Sequence, residues 1–117
     1  MKDIKNLVNL YSKRFEKEGA IFAFQVGSSL REKEFFENSD LDFLVVYKKR
    51  VRKNFTVKFE KGVEINIMRR SKEQFLSLLK EGSPVDLISL KFGKVLFGED
   101  LVRELKMKNY KPTEKNN

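Results

Sequence analysis

Two aspartates open an apolar run at residues 40–46, Asp-Leu-Asp-Phe-Leu-Val-Val, and a Gly-Ser pair, Gly27-Ser28, closes an earlier apolar run. Side chains alternate along an extended strand, so Asp40 and Asp42 share one face while Leu41, Phe43 and Val45 share the other. The two aspartate Cα atoms then lie roughly 6.6 Å apart. Carboxylates at that spacing can jointly hold one or two Mg²⁺ ions, which bridge the phosphates of a triphosphate. Gly27 has no side chain, so a phosphate can approach its backbone. Amides opening a following helix would face that anion, with the Ser28 hydroxyl as a further donor. The bland alternative for an isolated Asp-x-Asp is a pair of strand-end carboxylates matched by nearby lysines. The upstream Gly-Ser tips the reading toward a ligand, because carboxylates on an apolar strand need a compensating charge.

Composition narrows the chemistry around these residues. The 117-residue chain has no Cys and no His, which removes thiolate and imidazole metal sites, Cys nucleophiles and His acid–base catalysis. Catalysis must therefore run on carboxylates, hydroxyls, Lys or Arg, with hard metals held by oxygen. A formal charge of +8 favours anionic partners. The N-terminal stretch lacks the apolar core of a signal peptide, and no window approaches a membrane span, so a cytoplasmic location is expected.

The elements that must position the site follow from apolar spacing. Ile4, Leu7, Val8, Tyr11 and Phe15 predict a helix over 3–18, with Asp3 as its N-cap and Gly19 as its end. Residues 20–26 and 41–47 read as buried strands, and Ser28 or Ser29 would cap a short helix through Phe35-Phe36. Residues 55–59 and 63–68 alternate around Lys61-Gly62, which predicts a hairpin. Ser71 caps a helix that Gly82 stops, Pro84 opens another over 84–91, 95–97 forms an edge strand, and 99–107 a last helix. The order α-β-α-β-β-β-α-α-β-α predicts an α/β (α+β) domain, a mixed sheet flanked by helices, over residues 1–108. Residues 109–117 are expected to form a mobile tail.

A strand ending in hydrophobic-Gly-Ser, about a dozen residues, then Asp-hydrophobic-Asp-hydrophobic resembles the DNA polymerase beta-type nucleotidyltransferase superfamily. The small size is similar to its minimal nucleotidyltransferases, often the antitoxin partners of HEPN-domain proteins. The motif covers about a fifth of the chain, and the late GKVLFGED segment also resembles the family. The resemblance implies phosphate contacts at Gly27 and Ser28, and metal ligation by Asp40 and Asp42. It also implies a third carboxylate on a later strand, which Glu64 in Val63-Glu64-Ile65 matches, on a face shared with Asn66. On that basis the chain is expected to use Mg²⁺ and to move a nucleoside monophosphate from ATP or another nucleoside triphosphate to a hydroxyl acceptor. Glu64 would serve as ligand or proton acceptor, and a Tyr of a HEPN toxin is one acceptor the resemblance implies. The sequence departs from the pattern in Ser29-Leu30-Arg31 after the Gly-Ser, in the eleven residues between Ser28 and Asp40, and in Glu at the third position. The alternatives are a toxin–antitoxin module that binds nucleotide or partner without catalysis, and a basic nucleic-acid-binding domain, which is the less favoured.

Other signals read as structural. The run Lys48-Lys49-Arg50-Val51-Arg52-Lys53 is expected to be a solvated loop rather than a phosphate contact. Arg69-Arg70 would either balance triphosphate charge or solvate a helix start. Phe15, Phe22, Phe24, Phe43 and Phe75 sit on core patterns rather than on a base-stacking surface.

Overall fold

In the computed structural model, which describes residues 4–27 and 40–111, helix α1 covers Ile4–Lys17 and turns Leu7, Val8, Tyr11 and Phe15 inward. The Asp3 cap, Ser28, the helix expected through Phe36 and residues 112–117 lie outside the described residues. Strands β1 (Ala20–Val26) and β2 (Leu41–Tyr47) match the two apolar runs, and every residue of β2 is buried. Strands β3 (Phe55–Glu60) and β4 (Val63–Ser71) form the expected hairpin. Its turn residues Lys61 and Gly62 have φ of 53° and 77°, the left-handed pair a tight two-residue connection requires.

Strand β4 runs three residues past the expected end because its parallel pairing with β2 continues through Val45↔Arg69, Val46↔Arg70 and Tyr47↔Ser71. Ser71 then starts helix α2 (Lys72–Glu81) with a reciprocal cap. Its hydroxyl accepts from the Gln74 amide at 3.1 Å, and the Gln74 side chain accepts from the Ser71 amide at 3.0 Å. Helix α3 (Pro84–Phe92), strand β5 (Lys94–Phe97) and helix α4 (Glu99–Met107) complete the described chain.

The strand order is β3-β4-β2-β1-β5, with β2 and β4 parallel and the other neighbours antiparallel. This mixed five-stranded sheet with four described helices is an α+β fold. Each face of the sheet has its own core. On one face α1 covers Phe43, Val45, Ile65 and Ile67, with Tyr11, Phe15 and Phe43 in ring contact. On the other, α2, α3 and α4 cover Phe22, Phe24, Leu44 and Val46. The five core-pattern phenylalanines are all buried, each worth about 1.5–3 kcal/mol of apolar burial. Tyr110, which the sequence places in the tail, is partly buried against the second core. Among the described residues no helix is long and apolar enough to cross a membrane.

The basic run is an exposed loop with Val51 half-buried against the first core. Its place follows from topology. The loop leaves the end of β2, passes over the end of β4 and starts β3 on the outer edge. That crossing covers two strand spacings, roughly 10 Å.

Candidate functional site

The site is assembled by three adjacent strands, β1, β2 and β4. Antiparallel pairing puts Val26 opposite Asp42, and parallel pairing puts Asn66 opposite Asp42 on the other side. Asp42 therefore projects between the end of β1 and the middle of β4, on the face where Leu44 and Val46 meet the helices. It is 2% exposed. A carboxylate so placed must be met by donors or by a cation, because the bare charge is costly out of water.

Gly27 is fitted to that carboxylate. It has a φ of +108°, and a Cβ built on it would sit 2.3 Å from Asp42 Oδ2. The residue is thus required both by its backbone conformation and by the space Asp42 takes. The missing side chain at Gly27 leads the sequence reading to expect a phosphate against its backbone. The structure shows the first claimant to be the Asp42 side chain.

Asp40 lies exposed at the bend that precedes β2. Its amide donates to the Glu64 carbonyl at 3.0 Å, and its Oδ2 accepts from the Glu64 amide at 2.9 Å. Asp40 and Glu64 are thereby neighbours at the mouth of the β2–β4 pair. The Asp40 oxygen is turned toward β4 backbone, so the three carboxylates do not converge. Among the described residues no group of three acidic side chains stands close enough to hold a metal ion together. Of the predicted site residues, Gly27, Asp40, Asp42 and Glu64 fall on one patch of the sheet, and Ser28 lies outside the described residues.

Asn66 is the residue whose importance the sequence did not convey. Its Oδ1 is buried and has no hydrogen-bond partner among the described residues. It faces Asp42 across the parallel pair. The available sign was an amide on the Glu64 face of Val63-Glu64-Ile65-Asn66-Ile67, opposite Val63, Ile65 and Ile67. Carboxylate and amide oxygens are the donors a hard divalent cation prefers, so the Asp42–Asn66 pair fits Mg²⁺ in chemistry.

Both arginines of Arg69-Arg70 sit at the other end of β4 and make structural contacts. Arg69 donates to the Tyr47 hydroxyl at 3.2 Å and to Thr56 Oγ1 at 2.8 Å. Arg70 clasps the fully buried Asp86 of α3 at 2.7 Å, and Ser83 adds a hydroxyl donor to the same carboxylate. A concavity of about 580 Å³ among Tyr47, Arg52, Lys53, Lys58 and Arg69 is also at that end. Seven strand steps, about 23 Å, separate it from Asp40. It does not belong to the carboxylate site.

The sequence matches no family model, and no curated protein matches it. In three dimensions the chain is similar to a nucleotidyltransferase-like protein from Exiguobacterium sibiricum, known from a crystal structure, at a TM-score of 0.61 and 16% identity. The similarity covers 86% of this chain and 36% of that one. The chain thus has a nucleotidyltransferase-like fold and spans about a third of the length of the protein it matches.

Proposed function

We propose that the chain binds a nucleoside triphosphate together with Mg²⁺ and transfers the nucleoside monophosphate to a hydroxyl acceptor. The observation that carries this reading is buried Asp42 beside Gly27 and opposite an Asn66 Oδ1 with no hydrogen-bond partner among the described residues, on a nucleotidyltransferase-like fold. Asp42 and Asn66 would hold the cation from the floor of the sheet, with Asp40 joining from the exposed strand end. A bound Mg²⁺ would neutralise phosphate charge and make an acceptor hydroxyl more acidic. Gly27 and Ser28 would contact the phosphates through backbone and hydroxyl.

Glu64, half-buried and bonded through its amide to Asp40, would take the acceptor's proton. In the reaction the acceptor oxygen bonds to the α-phosphorus, the bond from that phosphorus to the bridging oxygen breaks, and pyrophosphate leaves. ATP is the expected nucleotide, and a Tyr of a HEPN-domain protein is the acceptor that the family resemblance suggests.

The test is ATP carrying label at either the α- or the γ-phosphorus, incubated with the chain, Mg²⁺ and such a partner. Transfer of the α-label alone, abolished in Asp42→Asn, supports the proposal. Transfer of the γ-label, or α-transfer that survives the substitution, contradicts it. A second reading is a binding module that retains nucleotide without transferring it. The turn of Asp40 Oδ2 toward the Glu64 amide favours it, because that geometry leaves the carboxylates unconverged. Nucleotide binding with no transfer to any offered hydroxyl supports this second reading.

A further inference from the structure

The outer edge of the sheet carries an apolar stripe that the proposed activity does not use. Phe55, Val57 and Phe59 of β3 are 55%, 44% and 74% exposed. They share a face with Met68, Asn66 and Glu64, their cross-strand partners on β4. The remaining large exposed apolar residues, Leu10, Phe92 and Met107, lie on three different helices. Exposed edge strands are ordinarily blunted, since an unpaired backbone flanked by apolar side chains is a template for another strand.

The backbone of the same three residues is the part that faces outward. The Arg69 amide donates to the Asn54 carbonyl at 2.7 Å, and the register continues through Thr56↔Ile67, Lys58↔Ile65 and Glu60↔Val63. In an antiparallel ladder, hydrogen-bonded and non-hydrogen-bonded pairs alternate. The peptide groups of Thr56, Lys58 and Glu60 therefore point into the hairpin. Those of Phe55, Val57 and Phe59 point off the edge.

We propose that a second copy of this chain pairs antiparallel with β3 about a two-fold axis at Val57, joining two five-stranded sheets into one. That register is self-complementary in backbone, in shape and in charge. Val57 meets its own counterpart, and Phe55 meets Phe59 of the second copy. All three outward-pointing residues become hydrogen-bonded pairs. On the opposite face Lys58 meets Thr56 of the second copy and Glu60 meets Asn54, so no like charges stand opposite within the strand. Just past the strand ends Lys53 would approach Lys61 of the other copy. Screening that repulsion makes the association tighten with added salt, opposite to the behaviour of a polyanion complex. The seam is small, so the dimer is weak.

Sedimentation velocity on the whole chain, from low micromolar to millimolar and at two salt concentrations, tests this. The expected result is a monomer–dimer equilibrium that strengthens with salt and that Val57→Lys weakens by about tenfold or more, because it buries two facing charges. The chain has no cysteine, so Val57→Cys introduces a single thiol. Cα atoms in a hydrogen-bonded antiparallel pair are about 5.5 Å apart, within disulfide reach. Mild oxidation should therefore cross-link Val57→Cys and leave the exposed control Phe92→Cys monomeric, a result that stands even if Val57→Lys misfolds. A chain that is monomeric at every concentration overturns the proposal and leaves the edge to a different partner. So does a dimer indifferent to Val57→Lys in a folded sample, or equal cross-linking at both cysteines.

Discussion

Gly27, Asp42 and Asn66 form a unit whose parts are individually unfavourable. A left-handed glycine, a 2%-exposed carboxylate and a buried amide oxygen with no partner among the described residues each cost stability. Gly27→Ala should destabilise the chain by about 1–3 kcal/mol, the cost of a strained backbone with a displaced Asp42. Gly62→Ala shares the positive φ but meets nothing within 4 Å, so its loss in thermal unfolding should be smaller. Asn66→Val should do the reverse of an ordinary core mutation. Removing the unpartnered oxygen from a strand should raise stability by about 1 kcal/mol while weakening Mg²⁺-dependent nucleotide binding. Equal or lower stability in the variant would show that the amide is satisfied in solution. Tyr11 and Tyr47 record a second residue-level effect on the opposite face. Burial, then hydrogen bonds to Glu60 and Glu18 respectively, push both phenols from 10 up to about 12. The folded chain thus holds these protons more tightly than the unfolded one. Stability from this source is intact below pH 10 and is lost as pH rises toward 12. Denaturant titrations across that window should show a shallower decline for Tyr47→Phe than for the parent.

At the scale of elements, a buried ion pair joins β4 to the helices that follow it. Arg70 is 19% exposed and Asp86 fully buried, so removing either leaves a charge stranded. Arg70→Ala should cost about 3–5 kcal/mol, read from the urea midpoint. Arg103→Ala, whose contact to Asp100 is mostly solvated, should stay within about 0.5 kcal/mol. The elements themselves were legible in the sequence because their signals are local. Apolar spacing fixed α1, the Ser71 cap and Gly82 bounded α2, and the Lys61-Gly62 turn fixed the hairpin. Which strands would be neighbours was not legible. Alternation tells which face Asp42, Glu64 and Asn66 occupy, but the parallel β2–β4 pairing that sets Asn66 beside Asp42 is a contact between distant segments. The same limit hid the Arg70–Asp86 clasp, and an arginine pair after the Glu64 strand looked equally suited to phosphate. Phe55 and Phe59 are exposed for a related reason: β3 has the alternation of a half-buried strand, yet no described helix covers it.

The molecule places Asp40, Asp42 and Glu64 and its basic loop at opposite ends of the β2–β4 pair. The carboxylates occupy the β2 start, while Lys48 to Lys53 crown its far end. The basic loop that contributes to the formal charge of +8 thus lies away from these carboxylates. The proposed triphosphate and its cation would sit at Gly27, Asp42 and Asn66, where the Asn66 oxygen has no hydrogen-bond partner among the described residues. Calorimetric titration of ATP into the chain, with and without Mg²⁺ and beside Asp42→Ala, tests this most directly. The account predicts binding that requires Mg²⁺ and disappears in the variant. Binding that is indifferent to both Mg²⁺ and Asp42, or no binding by the folded parent chain, would contradict it.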